Sequence, residues 1–216
     1  MKSNSFIVCI LLLGAVECFS QGFINLNFEN AVIKTNGAPQ GAIIASNAIP
    51  GWTAYNNGVS QTYIAYNDVS LGAAGISLHG TNSFFPSIQG NYFIYLQGSS
   101  AGQQSSAAIG QTGQIPLSAL SLLFWGDVFQ VQLSFNSQTL PFSLSSVTAN
   151  YNIYQADISP YSGQTGMLLF LAAQGAGGFI DNIQFSATAV PEPNQFALAA
   201  LGTLLLGFRR WKNYMR

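Results

Sequence analysis

From Gln21 to Val190 this chain carries a single cationic side chain, Lys34, and five carboxylates, Glu29, Asp68, Asp127, Asp157 and Asp181. A stretch so poor in charge cannot clothe a helical surface, which is normally built from Lys, Glu and Arg. Its apolar residues are instead interleaved with Ser, Asn, Gln, Thr and Gly. That mixture suits a pleated surface with one face on a core and the other in solvent. Charged residues make up 6% of the whole chain, against roughly 25% in an average soluble protein. The same scarcity excludes nucleic-acid binding, because one lysine cannot neutralise a phosphate backbone.

The 216 residues are enough for one domain with a sizeable core. In Phe23 to Phe28, Ile24, Leu26 and Phe28 alternate with Asn25 and Asn27, which predicts a strand. In Val128 to Phe135, Phe129, Val131, Leu133 and Phe135 alternate with Gln130, Gln132 and Ser134 in the same way. Tyr92 to Leu96, Leu120 to Trp125 and Met167 to Leu171 read as strands buried on both faces. Turn clusters separate these runs, among them Asn56-Asn57-Gly58, Asn136-Ser137-Gln138 and Ser159-Pro160-Tyr161-Ser162-Gly163. The expected fold is all-β, an antiparallel β-sandwich over residues 21–188, with no convincing helix before residue 196. Ala187 to Asn194 is the only tether in the sequence.

Residues 1–20 read as a secretory signal. Lys2 supplies a positive start and Phe6 to Val16 an apolar helix of about eleven residues. A membrane crossing needs about 20. Cys18 and Ser20 place small residues three and one before a cut after Ser20. A lipoprotein signal fits less well, since Glu17 precedes Cys18. Both cysteines, Cys9 and Cys18, lie in this leader, so the mature protein has none. With His79 as the one histidine, no zinc or redox-metal site is expected.

The other end has three parts: Val190-Pro191-Glu192-Pro193, an apolar run from Phe196 to Phe208, and a basic end that begins Arg209-Arg210. The apolar run is about 20 Å long as a helix, shorter than the roughly 30 Å hydrocarbon core. A single hydrophobic helix this short suits a temporary hold better than a permanent span. The three parts, over residues 189–216, resemble the PEP-CTERM sorting signal of bacteria that make extracellular polysaccharide. The resemblance implies that Val190, Pro191, Glu192, Pro193, Arg209 and Arg210 form a sorting motif. It implies processing by an exosortase, a membrane-embedded cysteine transpeptidase, and passage from the membrane to the cell envelope or extracellular matrix. The alternative is an ordinary C-terminal membrane anchor.

Within the middle, Asn27-Phe28-Glu29 and Ile49-Pro50-Gly51-Trp52 near the start, Asp157 to Thr165, and Gly178-Phe179-Ile180-Asp181-Asn182-Ile183-Gln184-Phe185 near the finish resemble the galactose-binding-like jelly rolls, which include many carbohydrate-binding modules. The resemblance implies that first and last strands lie side by side and that Glu29 and Asp181 hold a structural calcium. Parity adds an argument. Asp181 shares a strand face with Phe179, Ile183 and Phe185, and a buried carboxylate needs a cation or several donors. The alternative is a turn or edge residue bonded to backbone.

No catalytic constellation is legible. The carboxylates are not paired in any motif, and His79 has no G-x-S-x-G partner. The chain is therefore expected not to be an enzyme. Aromatic side chains flanked by amides suit sugar rings. Tyr55, Tyr63 and Tyr66 are the candidates for ligand binding, whereas Trp52 and Trp125 are expected in the core. Two functions follow: a carbohydrate-associated binding module with polysaccharide as partner, or a structural surface protein without a specific small ligand.

Overall fold

The computed structural model describes residues 22–69, 72–100 and 104–190. The expected signal segment, and the expected sorting segment from Pro191 onward with its apolar run, lie outside the described residues. The described chain forms strands β1 (Ala42–Ile44), β2 (Thr53–Asn56), β3 (Val59–Ser60), β4 (Tyr63–Tyr66), β5 (Gly75–His79), β6 (Phe93–Gln97) and β7 (Ala107–Gln114). They are followed by β8 (Ser121–Phe129), β9 (Gln132–Phe135), β10 (Gln138–Thr139), β11 (Phe142–Val147), β12 (Asn152–Asp157), β13 (Thr165–Ala172) and β14 (Gly177–Ser186). One helical turn, Ala45–Ala48, and a 3-10 turn, Ser159–Tyr161, complete the described elements.

The strands build two sheets. One has eight strands in the order β1-β4-β5-β6-β14-β8-β12-β11, the other six in the order β10-β9-β13-β7-β2-β3. The pairing is antiparallel except between β4 and β5, where Ala65 faces Ser77 and Tyr66 faces Leu78 in parallel register. The inner faces meet in one core. Phe124 of β8 packs edge-on against Phe170 of β13, with ring centroids 5.2 Å apart. Trp52 lies between Phe28 and Phe170, at 5.7 and 6.4 Å. Alternation made this possible: along β13, Leu168, Phe170 and Ala172 are buried, while Met167, Leu169 and Leu171 are partly exposed.

Two hairpins follow their turn chemistry. Asn57 and Gly58 link β2 to β3 with φ of 51° and 75°, and Asn136 and Ser137 link β9 to β10 with φ of 48° and 64°. Two residues with positive φ match the strand twist, and Asn and Gly adopt that conformation readily.

Several expectations fail for physical reasons. Phe23 to Phe28 is not a strand. Asn25 and Phe28 take positive φ, 49° and 57°, and the alternation breaks: Asn25 is buried together with Phe28, and Ile24 is exposed. The Asn25 amide donates to Pro50 O and accepts from Asn30 N–H, and its carbonyl accepts from Trp52 Nε1–H. Those bonds replace a strand ladder. The segment still runs beside the last strand, because Ile183 N–H donates to Leu26 O at 2.9 Å. Strand β1, by contrast, lies at the far edge of its sheet, not next to β14.

Val128 to Phe135 is two strands, broken where Gln130 takes a φ of 54°, and Phe129 is 63% exposed. Met167 to Leu171 is buried on one face, not two. Trp52 is in the core as expected, but Trp125 is only partly buried.

Candidate functional site

On the eight-stranded sheet, Ile76, Leu78, Ile94, Leu96, Leu122, Phe124 and Ile180 belong to the core. Strand parity therefore turns Ser77, His79, Phe93, Tyr95, Phe179, Trp125 and Asp127 to the opposite, outer face. A bulge at Asn182, where φ is 42° and the register against β8 shifts, keeps Asp181 on the outer face with Phe179 while Ile183 turns into the core. The expected common face of Asp181 and Ile183 is thereby corrected.

The outer face is a lane of rings. Phe179 packs against Tyr95 at 4.9 Å and against Phe85 at 4.7 Å. Phe84, next to Phe85, is 94% exposed. Further along, Trp125 and Tyr151 stack at 4.8 Å with their planes 10° apart, both partly exposed. The register places Asp127 opposite Phe179 and Trp125 opposite Asp181, so exposed Asp127 lies between the two ring groups. Flat apolar rings beside hydrogen-bonding groups are what a sugar ring needs.

Under the 80–92 loop this face becomes a second, smaller core. His79 is 1% exposed, stacked on Phe93 at 5.2 Å. Burial pushes its pKa down to about 4, only partly opposed by Asp68. Its Nδ1 bonds Ser83 Oγ at 2.8 Å, and its buried Nε2 has no partner. Ser83 Oγ also accepts from Phe85 N–H. The His79 and Ser83 pair thus closes a turn, and no carboxylate orients the ring as a nucleophile's base would require.

The same loop ties Glu29 to Asp181. Glu29 accepts from the N–H groups of Asn91 and Tyr92, each at 2.8 Å, and from Asn91 Nδ2 at 3.0 Å. Asp181 accepts from Gln89 N–H at 3.0 Å and from Asn182 N–H at 2.7 Å. Gly90, with φ of 61°, makes the approach possible: a Cβ there would sit 2.5 Å from Glu29 Oε1. Asp181 is fully buried, and burial, with a smaller push from Glu29, raises its pKa to about 8 against its two backbone bonds. The buried Gln89 Oε1 has no partner.

A desolvated carboxylate, a second carboxylate close enough to act on it and an amide oxygen without a partner thus meet the same loop, and these are the donor types a hard cation such as calcium takes. Among the described residues no group of three or more His, Cys, Asp or Glu side chains gathers for a metal, so backbone or amide oxygens would have to complete the coordination.

The three tyrosines do not converge. Tyr55 lines an apolar groove of about 380 Å³ on the outer face of the six-stranded sheet, with Ala108, Met167, Leu169 and Leu171. Tyr63 is 38% exposed beside a different, polar cleft. Tyr66 is partly buried against the core, and its pKa is raised by burial and by Tyr92. Tyr95 escaped the sequence reading because Tyr92 to Leu96 was taken as buried on both faces, Phe179 because it was placed on one face with Ile183 and Phe185, and Phe84, Phe85 and Tyr151 because no strand pattern singled them out. The one available signal was Phe84-Phe85 in a turn-rich stretch, where adjacent rings cannot both face a core.

No protein-family model matches the sequence, and no curated protein matches it. Among solved structures, the fold is similar to the enzymatically active domain of bacteriophage CBA120 tailspike protein 4, with 15% identity and a TM-score of 0.38 over 63% of this chain. The matching region spans 19% of that tailspike chain. It is also similar to a family 61 carbohydrate-binding module solved with β-1,4-galactotriose, with 13% identity and a TM-score of 0.39, covering 77% of this chain and 99% of that one.

Proposed function

We propose that this chain is an exported, non-catalytic carbohydrate-binding module that holds a glycan on the outer face of its eight-stranded sheet. The observation that carries the reading is the partly exposed Trp125 and Tyr151 stack beside Asp127, in line with Tyr95, Phe179 and exposed Phe84. The glycan is neutral: the sole cation of the described residues, Lys34, lies in the segment before β1, and Asp127 would repel uronate groups. The sequence supports export by the 1–20 signal, exosortase sorting through Val190-Pro191-Glu192-Pro193 and Arg209-Arg210, and delivery by way of the membrane to the envelope or its polysaccharide matrix.

Glu29 and Asp181, with Gln89, are the residues that would hold a structural calcium, which would neutralise the buried carboxylate and pin the 80–92 loop over the sheet.

The test is titration calorimetry with soluble neutral and uronate-rich polysaccharides. Binding of a neutral polymer, weakened about tenfold by Trp125→Ala, is expected, equivalent to about 1.4 kcal/mol. The second reading, a structural surface protein, is favoured by the aliphatic outer face of the six-stranded sheet, which offers sugar few hydrogen bonds. Absence of binding to every polymer, together with concentration-dependent self-association, would replace the first reading by the second.

A further inference from the structure

A second cleft opens away from the aromatic lane, where the β1, β4 and β5 edge of one sheet meets Asn56 of the other. It measures about 310 Å³, at the lower end of the few-hundred Å³ range of small-molecule pockets and about tenfold the share of one liquid water. Ile64 and Ile76 form an apolar floor, and Tyr63, Gln61, Asp68 and Asn56 form the rim.

The rim is short of donors. Asn56 Nδ2 donates to Ala74 O, which leaves Asn56 Oδ1 buried without a partner. Gln61 Nε2 donates to Val59 O, and Tyr63 OH donates to Gly37 O. Asp68 accepts from Val69 N–H through Oδ1, so its second oxygen remains for a guest. A buried acceptor left unpaired is costly, so a guest that donates there is favoured. The Tyr63 hydrogen bond holds its ring in place, and that ring is 38% exposed.

We infer that this cleft binds a single neutral pyranose unit, the end of a glycan chain, with its hydroxyls donating to Asn56, Gln61 and Asp68 and one face against Tyr63. A hydroxyl-rich ring supplies several donors spread over a flat body, which suits separated acceptors and a phenol face together. A compact amine would satisfy Asp68 alone and leave Asn56 Oδ1 buried and unpaired. The cleft uses none of the lane's residues, so it extends the proposed function without depending on it.

The test is ligand-observed saturation-transfer NMR on the full chain in detergent, with methyl glucoside, methyl galactoside, methyl mannoside and ethanolamine as probes. At least one methyl pyranoside should bind. Measured in the Trp125→Ala background, which removes the lane's ring stack, Asp68→Asn, an exposed position, should weaken it severalfold and Asn56→Leu should abolish it. A thermal midpoint for each variant separates lost binding from lost folding. If Asn56→Leu fails to fold, Tyr63→Ala takes its place with the same expected loss. In that background, failure of all three pyranosides, or binding of ethanolamine in their stead, would each overturn the cleft. Polysaccharide binding lost in Trp125→Ala belongs to the lane, so the two sites fail separately.

Discussion

The two outer faces of this sandwich share one core and differ in what they offer. The eight-stranded sheet shows rings interspersed with a carboxylate, half covered by the 80–92 loop. The six-stranded sheet shows Met167, Leu169, Leu171 and Ala108 around Tyr55. Gly110 sits between them, where a Cβ would come within 3.1 Å of Leu169 Cδ1 and 3.3 Å of Tyr55. Both faces obey the same alternation, so the fold does not decide which one binds. The difference lies in chemistry: rings with hydrogen-bonding neighbours discriminate a polar ligand, whereas an aliphatic groove gains only from removing area from water.

The largest perturbation breaks both faces together. Phe170→Ala empties the layer where the sheets meet and is expected to cost about 3 to 5 kcal/mol in denaturant unfolding. Loss of one face's amide protection with the other's retained would show that the sheets fold independently.

The next acts on one face only. If Glu29, Asp181 and Gln89 hold calcium, saturating ion at about 100 times its Kd should stabilise the chain by about 2.7 kcal/mol. Hydrogen exchange should then slow at Gln89, Asn91 and Tyr92 but not along β13. Chelator should reverse the effect, and Asp181→Asn should remove it. An unchanged midpoint with calcium would leave Asp181 held by its two backbone donors alone.

Smaller again is the ligand test. Trp125→Ala is expected to weaken neutral glycan about tenfold, while Leu169→Ala changes nothing measurable in glycan affinity. The reverse result would move the glycan to the six-stranded sheet and to Tyr55.

The last test concerns pH. The folded pKa of His79 is lowered by burial to about 4 from 6.5. Between those values the unfolded chain binds more protons than the folded one, so stability from this group is complete above pH 6.5 and is lost as pH falls toward 4. His79→Phe, which preserves a ring against Phe93, should flatten that fall in a series of thermal melts. A slope identical to the parent would assign the acid sensitivity to other groups.

Much of the architecture was legible because it depends on local rules. Charge scarcity and period-two patterning identify β-structure, and Asn57-Gly58 and Asn136-Ser137 mark hairpins through their backbone preference. The buried place of Trp52 follows from burial habit. Phe23 to Phe28 misled because hydrophobic alternation takes no account of Asn25, whose side chain replaces a ladder with its own bonds. Phe129 misled because one positive φ at Gln130 resets the face of everything before it.

By itself, the sequence determined the all-β class and the identity of the few groups able to carry charge. Tertiary structure alone decided their company. A single bulged residue at Asn182 turned Ile183 into the core while Asp181 stayed on the outer face, the loop through Gly90 brought Glu29 to the same stretch of backbone, and the pairing of β8 with β12 and β14 lined up Trp125 with its neighbours. The physical reason is that a strand's period fixes which residues share a face, whereas register and loop path, set by contacts distant in sequence, fix which faces meet.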